Sequence, residues 1–594
     1  MNDLITKHLD VWTSALMNKS TAGRGSNGKQ TAYGIKKLRE LILELAVQGK
    51  LVPQEPSDEP ASRLLGKITE EKNQLIIDGK IKDQKLLPDI SEDESFALPR
   101  GWELCRLGTL FNSILSGGTP SKNNPEYWNG NIPWASVKDL GQSKYIEKTQ
   151  DYITDAGLAA GSKLADIGDI LICTRMGLGK IAICKTQIAI NQDLKAVKLT
   201  SFVNVVYCLI VFSTYNIKGT GTTVAGIKQD ELLNFLFQLP PLAEQHRIVA
   251  KVDELMALCD QLEQQQTDSN AAHQTLVETL LATLTNTTVR TEPVEARPST
   301  SSGRTEFEEA WQRIDEHFDT LFTTEHSIDQ LKQTILQLAV MGKLVPQDPN
   351  DEPANILLKR LAVEQNKWLK ENEGVNKECA GMRRKLDKLK SPKPPFETPA
   401  SWSTAHLIQI TKFLVDCHNK TAPYVENGIP IIRTSNIRNS EFRMDDMKYV
   451  NQDTYEYWSR RCPPEASDII FTREAPMGEA AIIPDNTKFC LGQRTMLIRV
   501  MEKYIYNKYL LLALTEPHLL ERASVHAIGS TVKHLRVGDV ENLAIPIPPF
   551  AEQHRIVAKI DEIMTLCDTL KARINQAQTT QIHLADAIVE QAVA

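Results

Sequence analysis

Apolar positions fall into two rhythms along this chain. From Ile248 they step as Ile248, Val252, Leu255, Cys259 and Leu262, a 4,3,4,3 spacing that lines one face of a helix. Polar Gln266, Ser269 and His273 then hold that register, which resumes at Leu276 and Leu280. Near the other end the run is fuller: Ile556, Ile560, Ile563, Cys567, Leu570, Ile574 and Ala577, then Leu584 and Ile588 after Gln581. Each run predicts a helix of about 40 residues, roughly 60 Å long. Tandem prolines, Pro240-Pro241 and Pro548-Pro549, precede both runs and mark where strand-rich sequence ends. Leu331, Ile335 and Leu338 carry helical spacing as well. Between these stretches the rhythm changes. Short β-branched runs such as "GDILICT", "IAICKT" and "DIIFT", broken by Gly, Pro and Asn, predict short strands of mixed α/β domains.

The pattern occurs twice. "PPLAEQHRIVAKVDELMALCDQLE" from Pro240 returns as "PPFAEQHRIVAKIDEIMTLCDTLK" from Pro548, and "ILELAVQGKLVPQEPSDEPASRLL" from Ile42 returns as "ILQLAVMGKLVPQDPNDEPANILL" from Ile335. A shared offset of about 300 residues predicts a tandem duplication. Weaker echoes fill the interval: "ALPRGWELCRL" around Trp102 with "ETPASWSTAHL" around Trp402, and "GDILICTRMGLGKIAI" with "SDIIFTREAPMGEAAI". The stretch 288–306 has linker composition. The expected order is a helical region at 1–95, a first globular head at 96–240, a long helix at 241–287 and the linker. A second helical region at 307–394, a second head at 395–548 and a final helix at 549–594 follow. The fold class expected is α+β: two mixed α/β heads joined by two long antiparallel coiled-coil helices with pseudo-two-fold symmetry.

Composition narrows the function. At 594 residues the chain exceeds a single core. No apolar run approaches the roughly 18 residues needed to span a bilayer, and the N-terminus mixes charge into its apolar positions, so a cytoplasmic bacterial protein, away from membranes, is expected. Ten cysteines show no paired spacing, which points to buried thiols and no metal site. The net charge of −7 is uneven. Phe96–Pro240 holds 14 Lys+Arg against 11 Asp+Glu and Pro395–Pro548 holds 17 against 18, so the acid sits in the helical regions. The heads can therefore still present basic patches.

No catalytic constellation emerges. "GLGK" at Gly177–Lys180 lacks the first Gly and the Ser/Thr of a phosphate loop; Thr174 and Ile181 stand there. "IPPF" at Ile547–Phe550 has Ile where an amino-methyltransferase needs Asn or Asp. "PDNTK" at Pro484–Lys488 lacks the second acid of a nuclease motif. His246 and His554, in both repeats, read as capping or contact residues.

DNA recognition fits the heads better. In the first head the candidates are Lys122, Asn123, Trp134, Lys138, Arg175, Lys180, Thr222, Thr223 and Lys228. In the second they are Lys420, Arg433, Thr434, Asn436, Arg438, Arg473, Thr531, Lys533 and Arg536. Arg pairs with guanine and Asn with adenine at base edges, while Lys, Thr and backbone N–H groups hold phosphates.

The doubled "PP[LF]AEQHRIVAK[VI]DE[LI]M" phrase, each copy following a divergent head and opening a heptad helix, resembles the specificity subunit of type I restriction–modification enzymes. The repeated "LAV[QM]GKLVPQ" resembles the type IB subclass. This resemblance implies a non-catalytic subunit whose two target-recognition domains each read one half of a split duplex site. The helices would set the spacer. Glu244, Gln245, Arg247, Ile248, Val252, Leu255 and their counterparts Glu552, Gln553, Arg555, Ile556, Ile560 and Ile563 would form the spacer helices and dock partners. The partners implied are double-stranded DNA, two modification subunits that methylate adenine and two restriction subunits that translocate and cut. S-adenosylmethionine, ATP and Mg2+ would reside in those subunits. If both heads meet one DNA face, half-sites lie about 34 Å or 10 bp apart. Two other readings stay open: a methyltransferase or nuclease with its own recognition domains, and a coiled-coil adaptor without a DNA role.

Overall fold

Both heptad runs are helices of 44 residues, Leu242–Thr285 and Phe550–Val593. Each begins directly after its proline pair, where Gln245 and Gln553 close the first turn by donating their backbone N–H to Pro241 and Pro549. The computed structural model describes residues 2–18, 30–82, 86–94, 96–141, 143–217, 226–285, 302–418, 420–524 and 534–593. The chain forms two compact units, one of Met1–Ser269 with Ala577–Ala594 and the other of Asn270–Gln576. The first long helix thus starts in one unit and ends in the other, and the second long helix does the reverse.

The buried stripe of each helix differs in one respect from the heptad expectation. Ile248, Val252, Leu255 and Cys259 are buried as predicted, but beyond the polar stretch the buried residues are Val277, Leu281 and Leu284, while Leu276 is half exposed. In the second helix Ile556, Ile560 and Cys567 are buried, yet towards the end Ala585 is buried and Leu584 is exposed. The stripe slips by one residue. A helix of 3.6 residues per turn drifts about 20° per heptad against a 3.5 repeat, and over four heptads that is most of one residue's 100° step. The slip also coincides with a change of partner, because each helix end packs in the unit opposite its start.

In the first unit, helix Tyr33–Val47 presents Leu38, Leu41, Ile42 and Leu45 to the Ile248–Cys259 face, and Ala585 joins the same core. In the second, helix Glu325–Val340 presents Leu331, Ile335 and Leu338 to Ile556, Ile560 and Cys567, joined by Val277, Leu281 and Leu284. Helix Ser302–Glu316 starts inside the stretch read as a linker, whose last residues are helical rather than extended.

Each head hangs from the frame on a two-stranded ribbon: Glu103–Arg106 with Leu236–Leu239, and Ser403–His406 with Ala544–Ile547. The first head has a five-stranded sheet in the order Phe111–Ser116, Leu194–Leu199, Ile170–Cys173, Ile181–Cys184, Tyr145–Ile146. Its second sheet has the order Asp151–Ile153, Trp128–Ala135, Ile188–Ile190, Lys163–Ala165. The run Ile170–Cys173 is buried at every position, as a strand covered on both faces must be. The second head repeats this plan with fewer strands: Thr411–Asp416, Thr495–Val500, Ile469–Arg473, Met477–Ile482 in one sheet and Lys448–Val450, Ile429–Ile432, Cys490–Leu491 in the other. A hairpin, Ile437–Arg438 with Glu441–Phe442, belongs to it alone among the described residues.

Candidate nucleic-acid interface and the clasps behind it

The repeated phrase builds a clasp between head and helix. Glu244 is buried; its Oε2 accepts from Trp102 Nε1 at 3.0 Å and its Oε1 from Gln54 Nε2 at 3.3 Å. Glu552 Oε1 accepts from Trp402 Nε1 at 3.1 Å and from Gln347 Nε2 at 2.6 Å. Arg247 pairs with Asp58 at 2.7 Å and Arg555 with Asp351 at 2.6 Å. Gln245 donates to the Pro240 carbonyl and accepts from the Asn204 N–H; Gln553 donates to the Pro548 carbonyl and accepts from the Tyr506 N–H. Gly49 and Gly342 make room for the tryptophans: both have positive φ, and a Cβ on either would lie 2.5 Å from Pro99 or Pro399. Burial raises the pKa of both glutamates, against the pull of the indole and amide donors and the nearby arginines.

The clasps revise the reading of these residues as docking points. Glu244, Gln245, Glu552 and Gln553 have 0–1% of their surface exposed, so they offer nothing for a partner to touch. Ile248, Val252, Leu255, Ile556 and Ile560 are buried in the frame cores, and Ile563 packs at their margin. Arg247 and Arg555 are partly exposed but already paired. His246 lies 3.0 Å from Asn204, and His554 stacks on Tyr506 at 4.0 Å. The clasp partners Trp102, Gln54 and Asp58 are not among the residues that sequence reasoning picks out. Their signal is nonetheless there: each sits in a repeated phrase, with Trp402, Gln347 and Asp351 at the matching place.

At the far end of each first sheet the candidate DNA-facing loops gather. In the first head Lys122 and Asn123 are exposed in the loop after Phe111–Ser116, and Lys138 is exposed in a 3-10 turn, Val137–Asp139. Arg175 is half exposed and 3.7 Å from Asp193. Trp134 is buried instead, its indole donating to the Gly118 carbonyl at 3.3 Å and packing edge-on to Trp128; it braces the loop from behind. Lys180 is half-buried and donates to the Val137 carbonyl at 3.1 Å. Lys228 is exposed. Thr222 and Thr223, like Thr531 and Lys533, lie outside the described residues.

In the second head most of the expected base readers are engaged with their own backbone. Asn436 is buried and holds the Arg443 carbonyl at 3.2 Å. Arg433 donates Nε to Asn436 and pairs with Asp446 at 3.1 Å. Arg438 donates to the Thr434 carbonyl at 2.7 Å, and Thr434 to that of Ala475 at 3.1 Å. These side chains shape the loop 433–447; they do not project from it. Arg473, which the strand register matches to Thr174 and not to Arg175, is mostly covered and pairs with Asp416 at 2.8 Å while donating to the Leu535 carbonyl. Burial lifts the pKa of Asp416, with Arg473 pulling it back. Lys420 and Arg536 are exposed. Arg494, absent from the sequence expectations, is half exposed beside Glu474. Among the described residues no group of three or more His, Cys, Asp or Glu side chains could hold a metal, and no helix is long and apolar enough to cross a membrane.

The first head with its ribbon falls within residues 99–269 and most of the second within 415–579, and both stretches match the type I restriction modification DNA specificity domain. Over 99% of its length the chain is 39% identical to the specificity subunit of the type I restriction enzyme EcoAI of Escherichia coli, again over 99% of that protein. The chain belongs to the type I restriction enzyme specificity subunits. The EcoEI specificity subunit, also of Escherichia coli, is 36% identical over 99% of both chains. Among solved structures, the HsdS subunit from Thermoanaerobacter tengcongensis is similar over 84% of this chain and 98% of its own, at 17% identity and a TM-score of 0.37. Specificity subunits are non-catalytic members of their restriction–modification enzymes, and the two copies of the domain in this one fall on its two heads.

Proposed function

We propose that each head of this specificity subunit reads one half of an asymmetric, bipartite duplex site. The clasps and long helices set the unspecified spacer between the half-sites. The outer faces of the repeated frame dock two adenine-methylating modification subunits and, through them, two restriction subunits. S-adenosylmethionine, ATP and Mg2+ act in those partners.

One observation carries this reading: the Glu–Trp, Glu–Gln and Arg–Asp contacts of one clasp each have a counterpart in the other, while the loops at the tips of the heads differ. A repeated frame suits identical partners related by pseudo-two-fold symmetry. Unlike loops suit an asymmetric target. The exposed set of Lys122, Asn123, Lys138, Arg175, Lys228, Lys420, Arg494 and Arg536 supplies cations and amides for phosphates and base edges.

Mapping methylated adenines in cells that express this chain with its modification partner tests the proposal. A bipartite motif is expected. Exchanging residues 96–240 for the same head of another member should change one half of the motif and leave the other half and the spacer intact. A change in both halves, or methylation by the purified chain alone, would refute it.

A further inference from the structure

The heads differ in chemistry at one junction, where the end of the first sheet strand meets the end of a short helix. The strand ends align by register: Lys195 faces Ser116 in one head and Met496 faces Asp416 in the other, so Gly118 corresponds to His418. The short helices align by their caps, Thr154 and Asn451, so Ala160 and Gly161 correspond to Tyr457 and Trp458. In the first head the junction is made of glycine backbone. A Cβ on Gly118 would lie 1.8 Å from the Gly161 carbonyl oxygen, so no side chain fits. In the second head the same two positions carry stacked rings, His418 on Trp458 with centroids 4.6 Å apart.

Cations crowd those rings. The Arg460 guanidinium lies over the Tyr457 ring at 4.1 Å, and Lys420 follows two residues after His418 and is exposed. Tyr457 is 53% exposed. Arg461 is engaged by Glu378 at 3.3 Å and steadies the patch. Burial, then Arg460, Lys420 and Arg461, hold the His418 imidazole below its ordinary range, as a locally positive field requires. The patch adjoins the candidate interface, because Asp416, two residues before His418, is the partner of Arg473.

We propose that Lys420, Arg460 and Tyr457, mounted on the His418–Trp458 stack, form a DNA phosphate-backbone contact that the second head has and the first lacks. The stack fixes the mount, Lys420 and Arg460 supply the charges, and Tyr457 packs on sugar or donates to phosphate. The contact positions the duplex without reading sequence. This rests on the proposed function and assigns to the second head a share of affinity that its count of 17 Lys+Arg against 18 Asp+Glu does not suggest.

The test uses the full chain assembled with its modification subunit. Binding is measured across a KCl series to a duplex carrying the mapped motif and to a scrambled duplex. For Lys420→Ala/Arg460→Ala the slope of log K against log salt should flatten by about two, roughly 0.9 for each phosphate that is no longer neutralised. Affinity should fall alike on both duplexes, and the methylation motif should not change. Lys420→Arg/Arg460→Lys, which keeps both charges, should retain the wild-type slope. A double-alanine variant with wild-type melting, slope and affinity would overturn the proposal. So would a loss confined to the cognate duplex, which is the mark of base reading. A wild-type complex that binds both duplexes equally would instead overturn the proposed function, and this inference with it.

Discussion

Each head carries a Thr-Arg pair at the end of the same sheet strand, but the register sets the pairs one residue apart. Thr174 matches Arg473, their carbonyls accepting from Ile227 and Leu535, so Arg175 matches Glu474, and the two arginines do different work. Arg175 is half exposed with a loose 3.7 Å approach to Asp193; Arg473 is 15% exposed and sealed against Asp416 at 2.8 Å. The clasp residues behave in the opposite way. Glu244 and Glu552, 308 positions apart, receive the same indole and the same amide. The lesson is that identity of a residue type across a duplication predicts identity of role only where its neighbours are duplicated too. The clasp's side-chain partners are all repeated. The arginine's partner is not: in one head it is Asp193, just before the strand Leu194–Leu199, and in the other Asp416, at the end of the strand Thr411–Asp416.

The sharpest way to break this contrast is to truncate the clasp. Trp102→Ala and Trp402→Ala should each cost about 3–5 kcal/mol, since each empties a large buried site and strips a buried glutamate of a donor. Denaturant unfolding checks this, and similar losses in both are required; a large loss in only one would mean that the clasps are not equivalent. Next comes the arginine pair. Arg473→Ala leaves Asp416 buried without its partner and should cost about 3 kcal/mol. Arg175→Ala should change stability by less than about 0.5 kcal/mol, as exposed substitutions do, while weakening DNA binding by the complex. Equal destabilisation by the two would erase the distinction between the heads.

The smallest effect is electrostatic. The pKa values of Glu244 and Glu552 are raised in the folded state by burial, so the fold favours their protonated forms. Their contribution is fully present below the ordinary glutamate pKa of 4.5 and is lost as pH rises through the folded values. Relative to Glu244→Gln/Glu552→Gln, the wild type should therefore lose melting temperature on going from pH 4.5 towards neutrality. The two curves running parallel would show that the clasps carry no proton linkage.

The repeat architecture is legible in the sequence because helices announce themselves by local period. Tandem prolines, heptad spacing and the two restated phrases locate both long helices and both heads. The end of each helix departs from that reading because a strict 3.5 repeat ignores the drift of a straight helix, and burial passes from Leu276 to Val277 and from Leu584 to Ala585. The candidate interface is legible only as a region. Arg433, Asn436 and Arg438 have the residue types of base readers, but composition cannot say whether a guanidinium points outward or returns to its own loop. Tyr457 and Arg460 escape for the complementary reason: nothing in "DTYEYWSRRC" distinguishes an exposed platform from a helix end.

The sequence by itself thus determined the duplication, the two long helices and the family, since all three depend on short-range order and restated phrases. Only the tertiary structure decided that the most repeated residues face inward as clasps. It also decided which arginines are structural and which junction carries an aromatic stack where its counterpart has glycine. Those outcomes depend on which distant groups are brought within about 3 Å of one another, and a hydrogen bond or a buried ion pair exists only at that range.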